Sequence, residues 1–310
     1  MRRCNARQSE PPGTRGGIGL LQCPLTDFRN HSMADIGRFN RLQVLKHTGF
    51  GLYLNGGNDG DILLPKRYIP KDKPSEVGDW LDVFIYFDSE DKIIATTEQP
   101  KAQVGDFVSL KVIAKNNVGV FLDWGLPKDV LLPFSEQKRP LEVGDYAVVH
   151  LYLDKHTSRV IATSRLDRYL DKTPARYKAG DPVDLLIVER TDLGHKAIIN
   201  GLHWGLVHKN EAFKFLRGGQ REQGYIREMR ADGKISLSLQ PVGTAAADQL
   251  QDQILQKLLD NNGQLALSDK STPEAISRAF GVSKGNFKKA IGGLLKQGKI
   301  SIHSDHIELL

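Results

Sequence analysis

The sequence predicts a multidomain, mainly β chain: three small barrels in series followed by an α+β winged helix. Three observations carry this reading. First, a glycine interrupts alternating apolar residues in Val118-Gly-Val-Phe-Leu-Asp-Trp-Gly-Leu126, and Val130-Leu-Leu-Pro133 follows. The phrase occurs upstream as Gly49-Phe-Gly-Leu-Tyr-Leu-Asn-Gly56 with Asp61-Ile-Leu-Leu-Pro65. It recurs in altered form as Gly194-His-Lys-Ala-Ile-Ile-Asn-Gly201 with Gly205-Leu-Val-His208. Such a phrase describes two coiled strands of a small barrel, with Gly119 as the bend. Second, Val-Gly-Asp followed by alternation, an Asp and Ile-Ala-Thr repeats at a spacing of roughly 65 residues. Third, the apolar period changes after Pro241 from two to that of a helix.

Residues 1–32 are rich in Arg, Pro and Gly without sustained periodicity, which predicts a disordered tail, with Met33 as an alternative start. The first unit, 33–100, offers strands at 41–46, 50–55, 61–65, 79–88 and 92–97. The second, 101–172, repeats that order, Val143–Asp154 and Arg159–Ser164 echoing Val77–Asp88 and Lys92–Thr97. A third, 178–241, replaces Ile-Ala-Thr with Ser236-Leu-Ser-Leu239, also a period-two strand. In 245–310, Leu250, Ile254, Leu255, Leu258 and Leu259 share one helical face. Ser271 or Thr272 caps a second helix that Gly281 ends, and Ser283 caps a third that Gly298 stops. A hairpin from Lys299 and His306 completes the winged helix.

Composition sets bounds on function. No apolar run reaches the length that crosses a bilayer, so no membrane partner is expected. Cys4 and Cys23 both lie in the tail, which fits a cytoplasmic chain and excludes a cysteine-based zinc site in the body. The net charge of +6 is uneven: +3 over 1–32, −3 over 33–100, +3 over 101–177, +2 over 178–240 and +1 over 241–310. Half of the excess sits in the tail, so charge alone is compatible with RNA binding and with an ordinary solvated surface. No serine, cysteine or paired-carboxylate arrangement suggests catalysis, and no cofactor is expected. The Asp of each Val-Gly-Asp is expected to form a turn.

The repeated Val-Gly-Asp, Gly-Val-Phe-Leu-Asp, Leu-Leu-Pro and Ile-Ala-Thr-Ser phrases resemble the RNA-binding repeat of bacterial ribosomal protein S-one, a five-stranded oligonucleotide-binding (OB) barrel. Three such repeats precede Asp269-Lys-Ser-Thr-Pro-Glu-Ala-Ile276 and the stretch Phe280-Gly-Val-Ser-Lys-Gly-Asn-Phe-Lys-Lys-Ala-Ile291. The whole arrangement over 33–310 resembles the conserved virulence factor B family of bacteria. The resemblance implies three OB-fold barrels that capture single-stranded RNA in a regulatory role.

It also points to positions on the second strand: Phe50 and Tyr53, then Val118 and Phe121, then Leu193 and Lys196. Tyr53 and Phe121 are expected on the surface, where rings stack on bases, although a one-residue slip would turn them inward. The histidine that often ends the third strand in such repeats is Pro65, Pro133 and His208 here. In the third unit His195, Lys196, His203, Trp204, His208 and Lys209 share one predicted hairpin, a mixture of rings and cations. Metal binding there lacks a carboxylate or cysteine spacing and is not expected. On the winged helix, Lys284, Lys288 and Lys289 are candidate phosphate contacts. Gly285, Gly292 and Gly293 stand where base-reading side chains would be wanted. Two other readings stay open: a DNA-binding transcriptional regulator that uses the winged helix, and an adaptor associated with the ribosome or a nuclease.

Overall fold

The structure is a computed structural model that describes residues 34–71, 75–209, 215–241 and 244–310. The expectation for the tail lies outside those residues. Period-two alternation yields three closed five-stranded barrels. The first contains β1 (Phe39–Thr48), β2 (Gly51–Asn55), β3 (Asp61–Pro65), β4 (Trp80–Phe87) and β5 (Ile93–Thr96), in the spatial order β1-β2-β3-β5-β4. The second contains β6 (Phe107–Lys115), β7 (Gly119–Asp123), β8 (Val130–Pro133), β9 (Tyr146–Leu153) and β10 (Val160–Thr163). The third contains β11 (Pro182–Arg190), β12 (Gly194–Ile199), β13 (His203–His208), β14 (Arg221–Met229) and β15 (Ile235–Ser238). Each is antiparallel except where its third strand meets its fifth, as at Leu63 and Ile94. The first strand of every barrel carries a register break at the same place, at Val44/Lys46, Val112/Ala114 and Ile187/Glu189, which adds the bend that closure needs.

The glycine that opens the second strand has one cause in all three barrels. A Cβ on Gly51, Gly119 or Gly194 would fall 2.1, 2.4 or 2.1 Å from the carbonyl oxygen of Leu64, Leu132 or Val207 on the neighbouring strand. No side chain fits at that approach. The repeated aspartates form turns, as the sequence predicts. Asp79, Asp106, Asp145 and Asp181 each accept a hydrogen bond from the backbone N–H three residues earlier, at 2.7–3.0 Å.

Inward residues such as Leu52, Leu54, Ile62 and Val83 fill the first barrel and leave its outer residues to pack elsewhere. Phe84 and Tyr86 point out of it into the apolar cluster of the second barrel, where Phe84 meets Phe39 and Trp124 edge-on at 5.4 and 5.6 Å. Asp91 of the first barrel pairs with Lys128 (3.0 Å) and Arg159 of the second. A second seam joins the second and third barrels: Phe107, Leu166 and Leu170 pack on Leu186 and Ile198, and Arg221 donates to the Phe107 carbonyl at 2.8 Å.

The C-terminal part contains α1 (Thr244–Asp260), α2 (Pro273–Phe280) and α3 (Lys284–Lys296), with hairpin strands β17 (Ile300–Ile302) and β18 (Ile307–Leu309). The caps fall where the sequence puts them. Thr272 accepts from Ala275 N, Ser283 accepts from Asn286 N, and Gly281 ends α2 in the left-handed conformation. One short strand escapes the sequence reading: β16 (Gln264–Leu265) pairs with β18 and makes the sheet three-stranded. Two residues are too few for periodicity to register.

Candidate nucleic-acid interface

The outer face of each barrel's second and third strands decides which rings are available. In β2, Leu52 and Leu54 are buried and Tyr53 alternates with them, so Tyr53 points outward. Phe121 does the same between buried Val120 and Leu122. Phe50 lies in the turn before β2 and is 80% exposed. Val118 and Leu193, its counterparts in the other two units, are exposed too.

The first barrel adds a cation that the sequence reading did not single out. Lys46 of β1 faces Tyr53 across the ladder and holds its ammonium 4.7 Å from the ring centre, while donating to Asp61 Oδ2 at 2.8 Å. The hydrogen bond to Asp61 raises the Lys46 pKa above its ordinary value. A clue was present in the sequence, since Lys46 lies on the strand that must pair with the ring-bearing one.

The hairpin β12–β13 sorts the third unit's candidates by parity. Gly194 pairs with His208, Lys196 with Leu206, and Ile198 with Trp204, so Lys196, Trp204 and His208 share the outer face. Lys196 lies 3.7 Å from the centre of the Trp204 ring, a close cation–π contact. His208 Nε2 is 3.4 Å from Ser236 Oγ, and Lys209 is exposed just beyond the strand. His195 and His203 have the opposite parity. His203 is buried, with Nε2 at 2.8 Å from the Thr173 carbonyl and Nδ1 at 2.9 Å from the Tyr177 hydroxyl. It anchors the segment that enters the barrel. His195 is half-buried, and burial followed by the Arg190 charge lowers its pKa. The structure therefore brings three of the hairpin's six candidates together on one face and takes His203 out of the surface set.

That face does not open to free solvent. Trp204 packs against the seam with the second barrel, and Lys196 lies 3.4 Å from Asp167 of that barrel's last turn. His150 is sandwiched at the same seam between Phe107 and Tyr169, with ring centres 4.6 and 4.0 Å apart. Burial pushes its pKa down to about 4, against weaker raising effects from Asp106. Among the described residues, the buried Nδ1 of His150 and Nε1 of Trp204 find no hydrogen-bond partner, so the seam is not fully satisfied.

On the winged helix, α3 turns two of its three candidate lysines back onto its own domain. Lys288 pairs with Asp269 at 3.4 Å and Lys284 donates to the Lys270 carbonyl at 3.4 Å. Lys289 is exposed. In the wing, His303, His306 and Glu308 place their ligand atoms within 4.8 Å of one another, and the two imidazoles stack at 4.4 Å. Two histidines and a carboxylate suit a divalent transition metal. The sequence reading missed this trio because it is assembled across a hairpin.

The family models agree with this architecture. Residues 36–98 and 104–164 match the S1 domain family, and residues 252–309 match the CvfB-like winged helix domain. Conserved virulence factor B of Staphylococcus epidermidis is 26% identical over 281 residues, covering 88% of this chain and 94% of that protein. Its namesake in Staphylococcus aureus strain USA300 is 27% identical with the same coverage. The chain belongs to the conserved virulence factor B family. This family member is also similar to a solved multidomain protein with nucleic acid binding domains from Streptococcus pneumoniae. The two are 26% identical over 89% of this chain and 98% of that chain, with a TM-score of 0.41. S1 and winged-helix domains are nucleic-acid-binding types. Among the described residues of this virulence factor B homologue, no helix is long and apolar enough to cross a membrane.

Proposed function

We propose that the chain captures single-stranded RNA in post-transcriptional regulation, with its barrels supplying rings and cations and its winged helix supplying phosphate contact. The outward orientation of Tyr53, Phe121 and Trp204, two of them beside a lysine ammonium, carries this reading. Rings on an OB face stack on unpaired bases of any sequence, and adjacent cations meet the backbone. Several weak sites on one chain then add through tethering. The lysines of α3 that lean on Asp269 and Lys270, and the glycines around them, favour backbone contact over the reading of a duplex sequence.

Anisotropy titrations of a labelled unstructured RNA, the matching single-stranded DNA and a duplex DNA at equal salt test the proposal. Tightest binding of the single-stranded RNA is expected. Preference for a defined duplex would assign the activity to the winged helix instead.

A further inference from the structure

A cleft of about 880 Å³ lies between the second and third barrels. It falls within the range of roughly 300–1,000 Å³ found for small-molecule sites. Its second-barrel wall comes from the segment after β8, the start of β9 and the turn after β10. Its third-barrel wall comes from β11, β12 and β13. Five cations line it: Lys138, Arg139, Arg165, Arg168 and Lys196. Among the described residues only two carboxylates do, Asp167 and Glu189. One aromatic ring comes from each barrel, Tyr146 and Trp204, and Tyr146 is 61% exposed.

We infer that this cleft is a channel for a single-stranded nucleic acid, in which the two barrels hold one stretch of strand jointly. The inference rests on the proposed function and specifies where in the chain that function is exercised. A strand laid on the outer face of β12–β13 meets Lys196 and Trp204, and both form a wall of the cleft. It therefore runs between the barrels and not over an open surface. The opposite wall then offers Tyr146 as a second stacking platform and the two arginines Arg139 and Arg165 for phosphates. Arg139 makes a long contact with Asp145 (3.8 Å) and donates to the neighbouring Pro140 carbonyl at 3.4 Å, and Arg165 donates its Nε to the Ser135 carbonyl, leaving the rest of its guanidinium fork for an anion.

Two ion pairs cross the cleft, Lys196 with Asp167 at 3.4 Å and Lys138 with Glu189. Lys138 of the second barrel donates to both carboxylate oxygens of Glu189 of the third, at 2.9 and 3.0 Å. The Lys138 side chain is 59% exposed and that of Glu189 38%, so water screens the pair and a phosphate is a competitive partner for Lys138. Glu189 thus opposes an anionic strand both by its charge and by occupying Lys138. A cleft that served only to dock the barrels would lose a tie when Glu189 is neutralised. A channel would gain ligand.

The test is a titration of the full chain with a labelled twelve-residue oligouridine at several salt concentrations. For Glu189→Gln the channel predicts tighter binding, and for Arg139→Ala/Arg165→Ala it predicts looser binding with a salt slope shallower by about 1–2. For Tyr146→Ala it predicts a loss of roughly five- to a hundredfold. Tyr146 is exposed, so the last variant is read alongside an unchanged thermal unfolding midpoint. If none of these variants alters affinity while Tyr53→Ala does, the cleft inference falls and the RNA reading stands. If wild-type protein binds no single strand at all, both fall.

Discussion

The first and third barrels carry the same device in different surroundings. In the first, Lys46 and Tyr53 lie on an outer face where Phe50 is also exposed. In the third, Lys196 and Trp204 make a closer contact but form the wall of a cleft against the second barrel. The barrel closes identically in both, so strand order does not decide how a ring is used. What differs is which outer surface was sacrificed to join the units. The first barrel docks through Phe84 and Tyr86 of β4, which leaves its second and third strands outward. The third docks through Leu186 and Ile198, the latter next to Trp204 in the ladder, which draws the ring face into the seam.

The largest effect is expected from Gly194→Ala, whose clash Gly51→Ala would reproduce in the first barrel. The Cβ at position 194 would collide with the Val207 carbonyl, and the variant should lose about 3 kcal/mol or more of stability. Denaturant unfolding should show this loss together with exposure of Trp204 fluorescence. Retention of the wild-type midpoint would mean that β12 and β13 can part without breaking the barrel. Next come the rings. Tyr53→Ala should weaken RNA binding by about 1–3 kcal/mol and leave unfolding almost unchanged, whereas Trp204→Ala should lower both. An equal stability loss in the two variants would abolish the contrast between the two barrels.

Between pH 6.5 and about 4, acid should act on the seam of the second and third barrels through His150. His150 keeps a folded pKa of about 4 against 6.5 for the free side chain, so the unfolded chain binds the extra proton between those values. Stability is full above pH 6.5, falls by up to ~3 kcal/mol as pH drops towards 4, and levels off below that. His150→Phe, which keeps a ring between Phe107 and Tyr169, should flatten this part of the pH profile of unfolding. The smallest effect is expected from Lys289→Glu, which should reduce the salt slope of RNA binding by about 1 without changing base preference. An unchanged slope would remove α3 from the interface.

Much of this was legible in the chain. The glycine of each second strand, the aspartate of each turn, and the caps Thr272 and Ser283 are local demands of backbone geometry, and local demands leave residue-specific marks. The pairing of Lys46 with Tyr53 was half legible, since it needs only the register of one hairpin. The cleft was not legible. Lys138, Arg139, Tyr146, Arg165 and Arg168 are scattered over thirty-one positions and converge with Lys196 and Trp204 only after two barrels have docked. Nor was the wing trio His303, His306 and Glu308, two of whose members meet across the hairpin.

The sequence by itself determined three barrels, their strand order and the winged helix, because alternation, turn chemistry and close backbone approach are properties of neighbouring residues. Tertiary structure alone decided which rings stay open and which face a partner barrel. That choice depends on which outer apolar residues, Phe84 in one barrel and Ile198 in another, bury more surface by meeting a neighbour than by meeting water.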